Sequence, residues 1–89
     1  MSYKRSAKAR NINWCLSDEE FNSFWGKPCS YCDEPINTIG IDRLDNSIGY
    51  LFENCTSCCS ICNYMKMTFT KTEFIVHITK ILKNLKEIK

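Results

Sequence analysis

Two cysteines separated by two residues can present both sulfurs to one metal ion from a single turn. Two such turns complete a tetrahedral tetrathiolate site with metal–sulfur distances of about 2.3 Å. Cys29 and Cys32 form one pair without competition. Two candidates have the spacing for the second: Cys55 with Cys58, and Cys59 with Cys62. The later pair is preferred, because Cys62 runs into a stretch of helical character and a ligand turn leading into a helix is a common arrangement. Cys58 is then expected to be a small buried apolar residue and Cys55 to fill a strand position. Cys15, with no partner nearby, is assigned to the core. The expected metal is zinc in a structural role, since four sulfurs leave no coordination position open for water. Any catalysis must use a different centre.

Composition bounds the class. Seven cysteines fit poorly with a closed disulfide set, and in a reducing compartment clustered cysteines more often hold metal. The N-terminus is basic, but no apolar stretch follows it as a secretory signal requires. No apolar run approaches the roughly 18 residues of a membrane span. Eighty-nine residues make one domain (1–89) with little core, the size at which a metal commonly supplies the missing stability. A hydrophobic share of 44% and a charged share of 25% argue against disorder. The net charge of +2 falls to near zero once a zinc tetrathiolate contributes −2. Distribution matters more. Lys4, Arg5, Lys8 and Arg10 crowd the first ten residues without an acid, whereas the rest of the chain has eight basic and ten acidic residues. Such a cluster is the footprint of a phosphate-rich partner, or equally a solvated tail.

The elements that must position these groups follow from local pattern. Residues 2–10 are good helix formers within a basic segment, 1–12. Trp14 and Leu16 read as a brief extended entry to the core. Ser17 with Glu20 makes a capping box. Behind it Phe21, Phe24 and Trp25 share one helical face directed at the core, ended by Gly26 and Pro28. Ile39–Leu44 reads as a strand, Asp45-Asn46-Ser47 and Gly49 as a loop, and Tyr50–Ser57 as the return segment. Ser60–Met67 reads as a short helix. Thr70 with Glu73 makes a second capping box, opening a helix over 70–88. There Phe74, Ile75, Ile78, Ile81, Leu82 and Leu85 keep the helical period, and Lys80, Lys83, Lys86 and Lys89 mark the wet face. His77, the sole histidine, falls outside any motif and is read as structural.

Three strings stand close together: Gly40-Ile41-Asp42-Arg43, Gly49-Tyr50-x-x-x-Asn54, and Cys58-Cys59-x-x-Cys62-Asn63-x-x-Lys66. Their combination resembles the HNH endonuclease superfamily, in particular the small zinc-bound members common in viruses. The resemblance covers residues 5 to 82 approximately. It implies an α+β fold of the ββα-metal type over 29–66, in which a hairpin near Ile41 and Thr56 is crossed by the helix after Cys59. It implies a second, hard divalent ion, Mg²⁺ or Mn²⁺, held by Asp42 and the carbonyl of Asn63. Asn54 would orient the loop or the catalytic base, Asp45 would support the site, and Arg43 and Lys66 would bind phosphate alongside Lys4, Arg5, Lys8 and Arg10. The family's general base is a histidine directly after the metal-binding acid. Here that position is Arg43, which cannot accept a proton. A positioned base is worth on the order of 10²–10⁴ in rate.

The expected function is therefore metal-dependent cleavage or nicking of DNA, with RNA a further candidate, inside the cytoplasm or a host cell and away from membranes. A homodimer is what a double-strand cut would need. Two rivals stay open. One is a catalytically degenerate module of the same fold that only binds nucleic acid, and the other is a zinc-stiffened protein-interaction domain. Each residue also has a structural role available to it. Asp42 can pair with Arg43 or Lys66, Asp45 and Asn46 suit a turn, and Asn54 and Asn63 can cap.

Overall fold

The computed structural model describes the backbone of residues 3–88 and the side chains of residues 3–86. Ser2 and Lys89, which enter the expected helices, lie outside that range. The order is α1 (Tyr3–Ala9), α2 (Asp18–Asn22), β1 (Ile41–Arg43), a 3₁₀ turn (Phe52–Asn54), β2 (Cys55–Ser57), α3 (Ser60–Lys66) and α4 (Lys71–Ile88). It is a mixed α+β arrangement around one antiparallel pair. Ile41 faces Ser57, Asp42 faces Thr56 and Arg43 faces Cys55.

Both capping boxes form. The Ser17 hydroxyl accepts from Glu20 N–H while Glu20 accepts from Ser17 N–H, and Thr70 and Glu73 repeat the exchange. α2 nevertheless stops at Asn22, and turns carry the chain to Gly26, whose φ is +78°. The three aromatic residues therefore do not share a helical face: Phe24 is buried, Phe21 half-buried and Trp25 exposed. Trp25 as a core residue is corrected accordingly, and so is Cys15, which is exposed.

The apolar core is small. Ala7, Leu16, Phe24, Ile41 and Tyr50 are buried, with Tyr3, Trp14 and Phe21 packed against them. The entry segment bridges Trp14 to Tyr50, with Tyr50 N–H donating to Asn13 O at 2.8 Å. Gly49 sits where a Cβ would meet that same Asn13 carbonyl at 2.6 Å. Tyr3 lends its hydroxyl to Ile41 N–H at 3.1 Å, so α1 covers the edge of β1. α4 starts where Lys71 N–H donates to Leu44 O, packs Phe74 edge-on against Tyr31, and then leaves the body. The radius of gyration of 14.5 Å exceeds the roughly 12 Å expected of a compact chain this long. A helix of 18 residues, about 27 Å long, accounts for the excess.

Candidate functional site

A second cluster, separate from the apolar core, is built of sulfur. Cys29, Cys58 and Cys62 are buried, with Tyr31, Ile36 and Cys59 against them. The Sγ atoms of Cys29, Cys32, Cys59 and Cys62 all lie within 4.8 Å of one another, and Cys32 Sγ stands 3.7 Å from Cys59 Sγ. A tetrahedral tetrathiolate with bonds of about 2.3 Å needs sulfurs about 3.8 Å apart. These four residues could hold one metal ion.

The choice between the two candidate pairs is thus made by the hairpin. Cys55 lies in β2, and Cys58 turns its thiol to Cys59 O at 3.3 Å. Burial pushes the Cys55 thiol up to about 11 and the Cys58 thiol up to about 12, the ordinary behaviour of structural cysteines. Cys59 is the N-cap of α3, its sulfur accepting from Cys62 N–H at 3.4 Å. The first turn is sewn to β2. Ser30 N–H and Oγ both donate to Ser57 O, and Ser57 Oγ donates to Pro28 O. Cys58 N–H donates to Gly40 O, and Gly40 approaches the Cys58 carbonyl so closely that a Cβ would collide with it.

Within the cluster burial works against the Cys29 thiolate. The main-chain amides of Cys32, Cys59 and Tyr31 outweigh it and bring this thiol down to about 6. Cys62 goes the other way, held far up by burial and by the neighbouring sulfurs. Four sulfurs this close cannot all ionise without a cation between them.

An open cleft of about 490 Å³ is lined by residues of α1, β1, the loop and α3: Arg10, Asp42, Arg43, Asn46, Tyr50 and Asn63 among them. Asp42 and Asn63, expected to act together, do share it. Asp42 is 5% exposed. Its Oδ2 meets Lys66 Nζ at 3.2 Å and accepts from Tyr31 Oη at 3.1 Å. Both contacts are made to Oδ2, and the residue lines the cleft. Asn63 is exposed.

Lys66 is not placed to meet a phosphate. It is 0% exposed, and its ammonium is shared between Asp42 and the Arg43 carbonyl, 2.9 Å away. Its work is to tie α3 to β1. Arg43 lines the cleft but is partly committed: Nη1 donates to Asn46 O and Ile48 O, and the guanidinium lies 5.3 Å from the centre of the Tyr50 ring. Asn54 is buried and organises the loop. Its Nδ2 donates to the carbonyls of Asp45, Ile48 and Gly49, and its Oδ1 accepts from Asp45 N–H. The Asp45 carboxylate is drawn into an Asx turn, and hydrogen bonds from the Ser47 hydroxyl and N–H lower its pKa. It does not line the cleft.

The basic N-terminal cluster divides. Tyr3, Ser6 and Arg10 turn to the cleft, and Lys4 and Lys8 line a hollow beside Trp14 on another side of α1. Arg10 Nη2 donates to Tyr50 Oη at 3.3 Å, which anchors one nitrogen and leaves the rest directed to solvent. Arg5 is exposed, and His77 is exposed on α4. Three contributors escape sequence reasoning. Tyr31 holds Asp42, and its hydroxyl is held far up by burial and by that carboxylate; Tyr50 carries both arginines; and Asn46 Nδ2 donates to Met67 O, tying the loop to the end of α3. Only Tyr50 carries a signal, its place in the Gly-Tyr string.

No described helix is long and apolar enough to cross a membrane. No family model matches the chain, and no solved structure matches it significantly. Among curated proteins it is similar to an uncharacterized protein, R423, of Acanthamoeba polyphaga mimivirus. They are 42% identical over 78 residues, which is 85% of this chain and 15% of that protein.

Proposed function

We propose that this chain is a zinc-stabilised, HNH-like ββα domain that binds the phosphate backbone of nucleic acid in the cleft between α1, the hairpin and α3. The observation that carries the reading is the charge of that cleft. Among the described residues its single acidic lining residue, Asp42, is matched by the ammonium of Lys66, and Arg10 and Arg43 along the wall meet no described carboxylate. A wall of this kind favours an anion, and planar guanidiniums suit phosphate. Zinc fits the sulfur spacing, because 3.7 Å between Cys32 and Cys59 is what a tetrahedral thiolate site with zinc–sulfur bonds needs. Its role is to join the first cysteine turn to α3.

Phosphodiester cleavage in the HNH manner is the second reading, favoured by the fact that Asp42 and Asn63 line one cleft. Asp42 Oδ1 and the Asn63 carbonyl are the oxygens that would hold a hard divalent ion, which would supply charge stabilisation to the phosphate. Lys66 lowers the charge available for that ion, and Arg43 supplies no base. Both facts rank cleavage behind binding.

The test is fluorescence anisotropy with short single- and double-stranded DNA between 50 and 200 mM salt. Affinity should fall steeply with salt, and Arg10→Ala should reduce the logarithmic slope by about 0.9, one phosphate contact. Salt-independent affinity, or an unchanged slope in Arg10→Ala, sinks the binding reading. Plasmid nicking in Mg²⁺ or Mn²⁺ that disappears in a folded, metal-loaded Asp42→Asn variant would move the assignment to the nuclease.

A further inference from the structure

α4 carries an apolar seam that the other described residues leave uncovered. Ile75, Ile78, Leu82 and Leu85 follow the 3-4-3 spacing that keeps one stripe facing a partner helix. Leu82 and Leu85 are each more than half exposed, and Ile75 and Ile81 nearly half. The first part of the seam is not bare helix. Ile75 and Ile78 form, with Phe74, Ile61 and Met65, the apolar part of a groove of about 620 Å³ whose remaining lining includes the first cysteine turn and Cys32, Cys59 and Cys62. One end of the helix therefore provides a groove, and the other provides a ridge of leucines that no described residue covers.

We propose that a second copy of this chain covers this seam, with the two α4 helices antiparallel. The ridge of each copy, Leu82 and Leu85, then enters the groove of the other, setting Ile75 against the partner's Leu85 and Ile78 against the partner's Leu82. The contact is self-complementary and closes on itself about a two-fold axis. The flanks decide the direction. Ile81 lies beside the seam, with Thr79 and Lys86 on its other edge. Parallel helices would press Ile81 against Lys86, whereas antiparallel helices bring Ile81 to its own counterpart across the axis. They also keep the lysine edges apart from the apolar ones.

The area suffices. Ile61, Met65, Ile75, Ile81, Leu82 and Leu85 each offer on the order of 100 Å², about what a buried aliphatic side chain removes from water. Fully covered in both copies, these side chains alone bury about 1,200 Å², the lower bound for a specific interface. Two heptads alone make a marginal coiled coil, so the groove residues of α3 are required. This inference does not depend on what the cleft binds.

Sedimentation of the full zinc-loaded chain should give twice the protomer mass of 10.4 kDa at tens of micromolar. Ile81→Lys and Ile81→Glu, each at a half-exposed position, should each sediment as monomers with zinc content unchanged. A one-to-one mixture of the two should recover the dimer, because the unlike charges meet at the axis. A wild-type monomer at hundreds of micromolar overturns the proposal in favour of some other occupant. So does a dimer that neither variant disturbs, or a mixture that stays monomeric.

Discussion

Removing the ammonium of Lys66 while keeping its length, as in Lys66→Met, should be among the most damaging single changes in the chain. The side chain is wholly buried, and its nitrogen serves Asp42 Oδ2 and Arg43 O together. Loss of one member of a buried pair costs about 3–5 kcal/mol, because the remaining charge is left without a counterpart. Two features set the value near the lower end: Tyr31 Oη still donates to Asp42, and Asp42 lines the open cleft. The unmet Arg43 carbonyl adds roughly 1 kcal/mol. About 4 kcal/mol is a large share of the roughly 4–13 kcal/mol that 89 residues ordinarily supply. The assay is urea unfolding at a fixed free-zinc concentration, followed by tryptophan fluorescence. Asp42→Asn and the double variant Asp42→Asn/Lys66→Met complete a cycle. The double variant should be more stable than Lys66→Met by at least about 1.5 kcal/mol, since neutralising both partners removes the stranded charge. A loss below about 1 kcal/mol in Lys66→Met, or simple additivity in the double variant, would refute the argument that the pair is a buried, coupled unit.

Two further outcomes rest on the sulfurs. Chelation of zinc should abolish cooperative unfolding, as should Cys62→Ser, because metal binding in small thiolate sites carries most of the folding free energy and the apolar core here is slight; an unchanged urea midpoint in excess chelator would contradict this. Cys55, raised by burial from 9.0 to about 11, keeps its proton in the folded chain at pH values where the unfolded chain has lost it. Stability should therefore fall as pH rises from about 9 to 11. Cys55→Ala should flatten that part of the profile, and identical profiles for the two proteins would remove Cys55 as the cause.

What the sequence made legible was local. A hydroxyl three residues before a glutamate specifies its hydrogen bonds whatever the fold, and Ser17–Glu20 and Thr70–Glu73 both make theirs. Cys29 and Cys32 are equally self-contained. The choice between Cys55–Cys58 and Cys59–Cys62 follows from which residues pair with β1, a question of register that spacing leaves open. A lysine near a helix end is normally wet, which favours phosphate contact over the Asp42 pairing also open to Lys66; the placement of the end of α3 beside β1 brings the ammonium to Asp42. Phe24 is buried as expected, but Trp25 was misassigned to the core because a five-residue α2 ends before its periodicity reaches it. The stripe on α4 was plain in sequence, but periodicity says which residues share a face and not what lies against it.

The strand position of Cys55 has a kinetic meaning. In an unstructured chain three pairs of cysteines, 29–32, 55–58 and 59–62, are equivalent two-toothed chelates competing for a single ion. An ion captured by 55 and 58 holds the β2 segment away from β1 and must be released before the hairpin can close. Pairing of Arg43 with Cys55, and the turn that points the Cys58 thiol at its neighbour's carbonyl, withdraw both sulfurs from the contest. For a metal bound at the four-sulfur cluster, the hairpin would act as an editor of ligand exchange, discarding the misplaced chelate as it forms.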